Sequence, residues 1–251
     1  MAFFVDKDSI VRKIWGKADT ILFTFAGASA EFALNKAVDW LYFTGRLPAD
    51  PLGRLFSTVS YARQIVFSDH DEALLAIDKI TAIHKTVEQN RGAQIPDWAY
   101  RDVLFMLIDY SIRSFEVLER KLTDKEKAEV FKVFNRVGLR MGIDGLPKTY
   151  QDWLLMRLEH LSDNLIRSDF TLDLYKQYRK HLGLLRYNLL KQAQVLVVPK
   201  HVNELLSLGN TALLKPALEI YKVSRLFKLD GLFKNVILPD DYKEQIHNLD
   251  I

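Results

Sequence analysis

Arg54 and Thr58 stand one helical turn apart in "DPLGRLFSTVSYA", at the edge of an apolar stripe formed by Leu52, Leu55, Phe56 and Val59. A guanidinium and a hydroxyl in that place can frame a polar pocket. They can equally be a snorkelling arginine and a threonine bonded back to its own helix. Farther along, His84 falls four residues after Ile80, seven after Ile77 and three before Val87, a spacing that turns it toward the apolar side of its helix. Two readings follow. It is a core histidine satisfied by its neighbours, or a neutral imidazole aimed into a dry pocket, as an axial ligand to a metal or a haem iron must be. Asp109, after "VLFMLI", raises a similar choice. It pairs with Arg113 one turn on, or it is a buried anion that needs a cation from another helix, with Arg54 one candidate. Glu31 and Asp39, inside the apolar run from Ile21 to Phe43, pose the same question. Ionisable groups in several core segments point to a polar pocket within a helical shell.

Other chemistries are excluded or unsupported. The chain has no cysteine, which removes disulfides, thiolate nucleophiles, cysteine zinc sites and thiolate-ligated or covalently attached haem. Phosphate-binding loops of the GxxxxGK[ST] or GxGxxG type, a GxSxG elbow and an HExxH motif are absent. The Glu-x-x-His spacing of a ferritin-like di-iron site occurs at Glu244 and His247, whereas such a site needs two on facing helices. His70 and His247 read as solvated, His201 opens a helix, and His160 and His181 lie in the charged stretches "RLEHLSD" and "YRKHLG".

The elements that must position these groups are helical. "DHDEALLAIDKITAIHKTVEQNRG" begins with acids and ends at Gly92; "TDKEKAEVFKVFNRVGLRMG" opens with a Thr123/Glu126 capping box and closes at Gly142. "IPDWAYRDVLFMLIDYSIRSFEVLERKL" is apolar nearly all round between Val103 and Ile108, as a central helix should be. Further helices are expected around residues 150–161, 171–195, 202–208 and 213–227. "QVLVVP" reads as a helix terminus rather than a strand because of Pro199. The expected fold is all-α, a single compact bundle of eight to ten helices, with a core over about residues 9–198 and a C-terminal latch over about 199–251.

With 251 residues and 49% hydrophobic content, the chain can bury a substantial core. Thirty-five Lys and Arg against 32 Asp and Glu are scattered rather than striped, so nucleic acid is not an expected partner. The opening "MAFFVDKDSIVRKIWG" mixes charge with apolar residues, unlike a secretory leader, and the expected location is cytoplasmic. The basic, apolar segment "LLKPALEIYKVSRLFKLDGLFKNVIL" either packs on the bundle or touches a membrane surface.

"DPLGRLFST", "AIDKITAIHKTV", "WAYRDVLFMLIDYSI" and "LTDKEKAEVFKVFNRVGLRMGIDGLPKTYQDW" together resemble the mpaB/latex-clearing rubber oxygenase family. The likeness runs from about Ser9 to Val198, with a weaker echo in "FKNVILPDDY". The resemblance implies an all-helical fold with a globin-like core enclosing haem b, and oxidative chemistry with dioxygen on an apolar substrate. His84 matches the axial ligand. Arg54 and Thr58 match the Arg and Thr of the neighbouring helix, which makes Arg54 a propionate or pocket-framing cation and brings the Thr58 hydroxyl near the pocket. The chain also departs from the pattern. Ser57 stands where the rubber oxygenases carry a distal lysine, "EFALNKAV" replaces an A-H-P motif, and Leu104 occupies the histidine position of W-V-H. The carboxylate base of the rubber-cleaving enzymes has Glu31 and Asp39 as candidate counterparts. The leading expectation is a haem b-dependent oxygenase acting on a hydrophobic small molecule. The alternative is a non-catalytic lipid- or isoprenoid-binding protein of the same shape without haem.

Overall fold

Side-chain caps open six of the ten helices traced here in the computed structural model, which describes residues 2–45, 49–209, 216 and 218–222, apart from the side chains of residues 51, 52 and 54–56. Helix α1 (Ile10–Trp15) starts at Ser9, whose Oγ accepts the Val11 N–H. Helices α2 (Ala18–Leu34) and α3 (Val38–Phe43) follow. Helix α4 (Pro51–Phe67) is capped by Asp50, which accepts the Gly53 N–H, with proline in the first turn. Helix α5 (His70–Arg91) is capped by Asp69, and α6 (Asp97–Leu118) runs through the centre. Helix α7 (Asp124–Met141) opens with the Thr123/Glu126 capping box; it stops at Gly142, whose φ of 75° suits a residue without a Cβ. Helices α8 (Tyr150–Asp163) and α9 (Asp169–Val197) carry capping boxes of their own, and α10 (Lys200–Leu206) follows Pro199.

The fold is all-α. No strand occurs among the described residues, where extended pairing is confined to two isolated bridges, Phe3 with Asp69 and Asn35 with Leu165. The apolar run from Ile21 to Phe43 is two helices rather than one. Asn35 interrupts it with an extended backbone (ψ 134°), its Oδ1 accepts the Ala37 N–H, and its Nδ2 donates to Asp102. An amide side chain that bonds the backbone two residues on competes with helix continuation. Of the helix expected around 213–227, residues 216 and 218–222 are described and are helical; its remainder and most of the C-terminal latch, with Glu244 and His247, lie outside the described residues.

Helix α6 organises the interior. Phe105 and Ile108 are wholly buried in a cluster with Trp15 of α1, Ile77 of α5 and Trp153 of α8. Each such side chain contributes about 1.5–3 kcal/mol through burial. On another side, Met106 and Tyr110 meet Ala30 and Leu34 of α2, Leu161 of α8 and Val202 of α10. Gly27 lets the Tyr110 ring lie directly against α2, where any Cβ would overlap it. Ala33 of α2 packs on Leu174 and Tyr178 of α9.

Candidate functional site

Three helices bring charge into this interior. Arg157 of α8 donates from Nη1 to Glu31 Oε1 at 2.5 Å and from Nη2 to Glu31 Oε2 at 2.6 Å. The same guanidinium reaches Asp109 Oδ2 from Nη2 at 3.0 Å and from Nε at 3.2 Å. Asp109 Oδ1 accepts from Arg113 Nε at 2.6 Å, and the Tyr110 hydroxyl donates to Glu31 Oε2 at 2.7 Å. Arg157 and Glu31 expose only 5% and 2% of their side chains. Burial opposes the charge on Arg157, but the adjacent Glu31 and Asp109 outweigh it and push its pKa well above the usual value. Burial, and then the charge of Glu31, likewise keep the Tyr110 hydroxyl protonated.

Both readings of Asp109 are therefore realised at once, and the cation from another helix is Arg157 of α8. The side chain of Arg54 lies outside the described residues; its backbone sits in the first turns of α4. Thr58 is half-buried on the same helix. Asp39 is not part of the cluster: it accepts from Arg91 Nη2 at 2.6 Å and is partly exposed.

A second buried polar group lies between α6 and α8. Asp102, 2% exposed, accepts from Asn35 Nδ2 at 2.7 Å, from Asn164 Nδ2 at 3.1 Å and from His160 Nδ1. The His160 ring packs on Phe105 with centroids 5.1 Å apart. Sequence reasoning placed His160 in a charged stretch and missed it, and it missed Arg157 and Asp102 as well. The available signal was periodicity: Trp153, Arg157, His160 and Leu161 share one face of α8, the face that turns inward.

His84 is elsewhere, and its surroundings are not the dry pocket its spacing suggests. Ala73, Ala76 and Ile77 of α5 are buried, but from Thr81 to Arg91 no side chain of the helix is fully buried. The apolar stripe outlasts the core it packs on. His84 is half-buried at a polar cleft of about 290 Å³ bordered by Lys85, Glu88, Tyr100, Met141 and Asp144. Its Nδ1 lies 2.9 Å from the Ile80 carbonyl oxygen. A carbonyl only accepts, so Nδ1 carries the proton, and the lone pair of the neutral ring is on Nε2. Tyr100 meets the imidazole edge to face at 5.2 Å. The Tyr100 hydroxyl donates to Glu88 Oε1 at 3.2 Å, which also accepts the Ile95 N–H at 2.9 Å. Burial and the Glu88 charge raise the Tyr100 pKa well above its ordinary value.

The donor set fits a single axial ligand. An imidazole whose Nδ1–H is held by a backbone carbonyl is oriented as iron-ligating histidines are. The cleft itself is at the lower end of the roughly 300–1,000 Å³ typical of small-molecule pockets, too small to enclose a porphyrin alone. Among the described residues, no group of three or more His, Asp or Glu side chains is placed to hold a bare metal ion. No helix among them is long and apolar enough to cross a membrane.

Residues 14–224 match the family model described as ER-bound oxygenase mpaB/B'/Rubber oxygenase, catalytic domain. The match extends beyond Val198, where the sequence likeness was expected to fade, and leaves out the "FKNVILPDDY" echo. No curated protein and no solved structure matches the chain.

Proposed function

Because the chain belongs to the mpaB/rubber oxygenase catalytic-domain family, we propose that it is an oxygenase that joins dioxygen to a hydrophobic small molecule, using haem b held through His84. The observation that carries the ligand assignment is the Nδ1 contact to Ile80. It fixes the ring on its own helix and directs the metal-binding lone pair to Nε2. A bound haem, held by His84, would supply the iron at which dioxygen is activated.

The remaining residues have separable tasks in this reading. Arg54, by its match to the family pattern, would neutralise a propionate; Thr58 does not line the His84 cleft and keeps only its match to that pattern. Tyr100 holds the imidazole from the side, and Glu88 fixes Tyr100 through its hydroxyl. Glu31 is an unsuitable general base, since Arg157 and Tyr110 together engage both of its oxygens. Asp109 holds Arg157 rather than meeting substrate, so we assign it a positioning role in place of a catalytic one. Residues 9–198 act as one catalytic unit in this reading.

The deciding experiment is an ultraviolet–visible spectrum of protein expressed with ample haem precursor. A Soret band that is lost or shifted in His84→Ala is the expected result. A Soret band unchanged in that variant overturns His84 as the ligand. Colourless wild-type protein with co-purifying lipid replaces the oxygenase reading with the non-catalytic binding one.

A further inference from the structure

Helix α9 carries a break that its capping and packing do not require. Gly183 has φ 71° and ψ 172°, so the helix bends there. That φ is one that side-chain-bearing residues rarely adopt, although a Cβ at Gly183 would meet nothing within 4 Å. Immediately after the bend, Leu184 and Leu185 are 62% and 64% exposed. Single exposed leucines are ordinary on protein surfaces, but two adjacent ones at the tip of a bend are not a solvated polar face.

The charge along the chain on either side of this bend is one-sided. Between Asp173 and Glu204 the chain has no acidic residue, while Lys176, Arg179, Lys180, Arg186 and Lys191 fall within it. Lys176, Arg179 and Lys180 are exposed and spaced to share one face, whereas Leu174 and Tyr178 turn inward onto Ala33. His181, at the bend itself, is also exposed. The two carboxylates of this helix, Asp169 and Asp173, both precede the basic stretch, and Asp173 accepts from the Tyr42 hydroxyl at 2.9 Å. The exposed leucines of α8 make an instructive contrast. Leu155 and Leu158, 66% and 65% exposed, stand among Asp152, Glu159 and Asp163, which an anionic surface would repel.

We propose that the Gly183 bend of α9 is a docking surface for an anionic phospholipid bilayer, with Leu184 and Leu185 entering the boundary between headgroups and acyl chains and Lys176, Arg179 and Lys180 lying against the lipid phosphates. Nucleic acid is the other polyanion such a basic face could meet, but phosphates alone give the two leucines nothing to do. An apolar anchor with cations beside it is what an interfacial site requires, because neither element alone binds firmly. Docking there would bring the protein to the phase in which hydrophobic small molecules concentrate. It is independent of haem ligation at His84, so each can fail without the other.

The test is flotation of the full chain with vesicles of phosphatidylcholine alone or mixed with phosphatidylglycerol. Wild-type protein is expected to float with the mixed vesicles at low salt and much less with the neutral ones. Leu184→Ser combined with Leu185→Ser should weaken binding by about tenfold or more, since two partly inserted leucines are lost. Lys176→Gln, Arg179→Gln and Lys180→Gln together should weaken it by about a hundredfold at low salt, at about fivefold per cation, and much less at high salt. Should the triple variant fail to fold, the single charge reversal Lys180→Glu gives the same reading at an exposed position. Wild-type protein that stays with the sediment overturns the proposal. So does flotation that survives both sets of substitutions, equal flotation on neutral and mixed vesicles, or binding to duplex DNA in preference to mixed vesicles.

Discussion

Arg157 meets Glu31 end to end, with two nitrogens on two oxygens at 2.5 and 2.6 Å, in a site from which water is excluded. The pair joins α8 to α2, and the second carboxylate, Asp109, ties the same guanidinium to α6. Removing the cation leaves two buried carboxylates sharing only Arg113 and Tyr110. Arg157→Leu should therefore cost about 3–5 kcal/mol of stability. For a chain of this size that lowers Tm by roughly 6–20 °C. Thermal unfolding followed by circular dichroism checks it. Adding Glu31→Leu should recover part of the loss, because one stranded anion goes with it. A double variant less stable than Arg157→Leu alone would show that Glu31 has other favourable contacts.

The Tyr110 hydroxyl reaches Glu31 only because Gly27 has no side chain. Gly27→Ala places a Cβ against a ring that is wholly buried between α2 and α6. Overpacking of this kind costs about 1–3 kcal/mol, against the roughly 1 kcal/mol that alanine ordinarily gains over glycine within a helix. The net sign should be destabilising, read as a lower urea midpoint. A midpoint above that of the wild type would mean that α2 and α6 can separate without losing the Tyr110–Glu31 bond.

How far these relationships can be read from sequence depends on their span. The capping box of Thr123 with Glu126 and the Asp109–Arg113 pair lie within one turn, so residue type and spacing suffice. Arg157 is 126 positions from Glu31, and in "LLMRLEHLSD" it looks like a surface arginine beside Glu159. The partner that buries it belongs to tertiary structure. His84 shows a different limit. Period 3.6 gives the face of α5 on which it lies, but not that the core stops near Ile80, and so a cleft stands where a dry pocket was expected. The break at Asn35 was hidden for a third reason. Apolar residues continue on both sides of it, and the amide that turns the chain is held both by the Ala37 N–H beside it and by Asp102, 67 positions away.

Asp102 accepts from three side-chain donors, Asn35, His160 and Asn164, while almost wholly buried. Asp102→Ala leaves all three without their acceptor at the junction of α2, α6 and α8. Orphaned buried donors cost about 1–3 kcal/mol each where water cannot replace the partner. The expected loss is several kcal/mol, read from urea denaturation. Asp102→Asn keeps the shape and one acceptor oxygen, so it should lose clearly less. Equal losses in the two variants would mean that the carboxylate's charge, not its acceptor count, holds the junction.

Glu126 offers a prediction in pH. Its carboxylate pairs with Arg120 through two hydrogen bonds of 2.6 and 3.0 Å and accepts the Thr123 N–H at 2.8 Å, closing the start of α7. The Arg120 bonds, followed by the Thr123 N–H, lower its pKa from 4.5 to about 2. A carboxylate whose folded pKa is depressed stabilises the fold fully above its unfolded pKa and loses that contribution as pH falls toward the folded value. Glu126 should thus support α7 at neutral pH and progressively less between about pH 4.5 and 2. Glu126→Gln keeps an oxygen for the Thr123 N–H but removes the charge. It should cost about 1 kcal/mol near neutrality, the usual size of a capping contribution, with the surface location keeping the ion-pair share small. The difference in urea midpoint between Glu126→Gln and wild type should shrink as pH is lowered through that window. A difference that stays constant from neutral pH down to pH 2.5 would mean that Glu126 acts through shape alone and that the Arg120 pairing contributes nothing measurable.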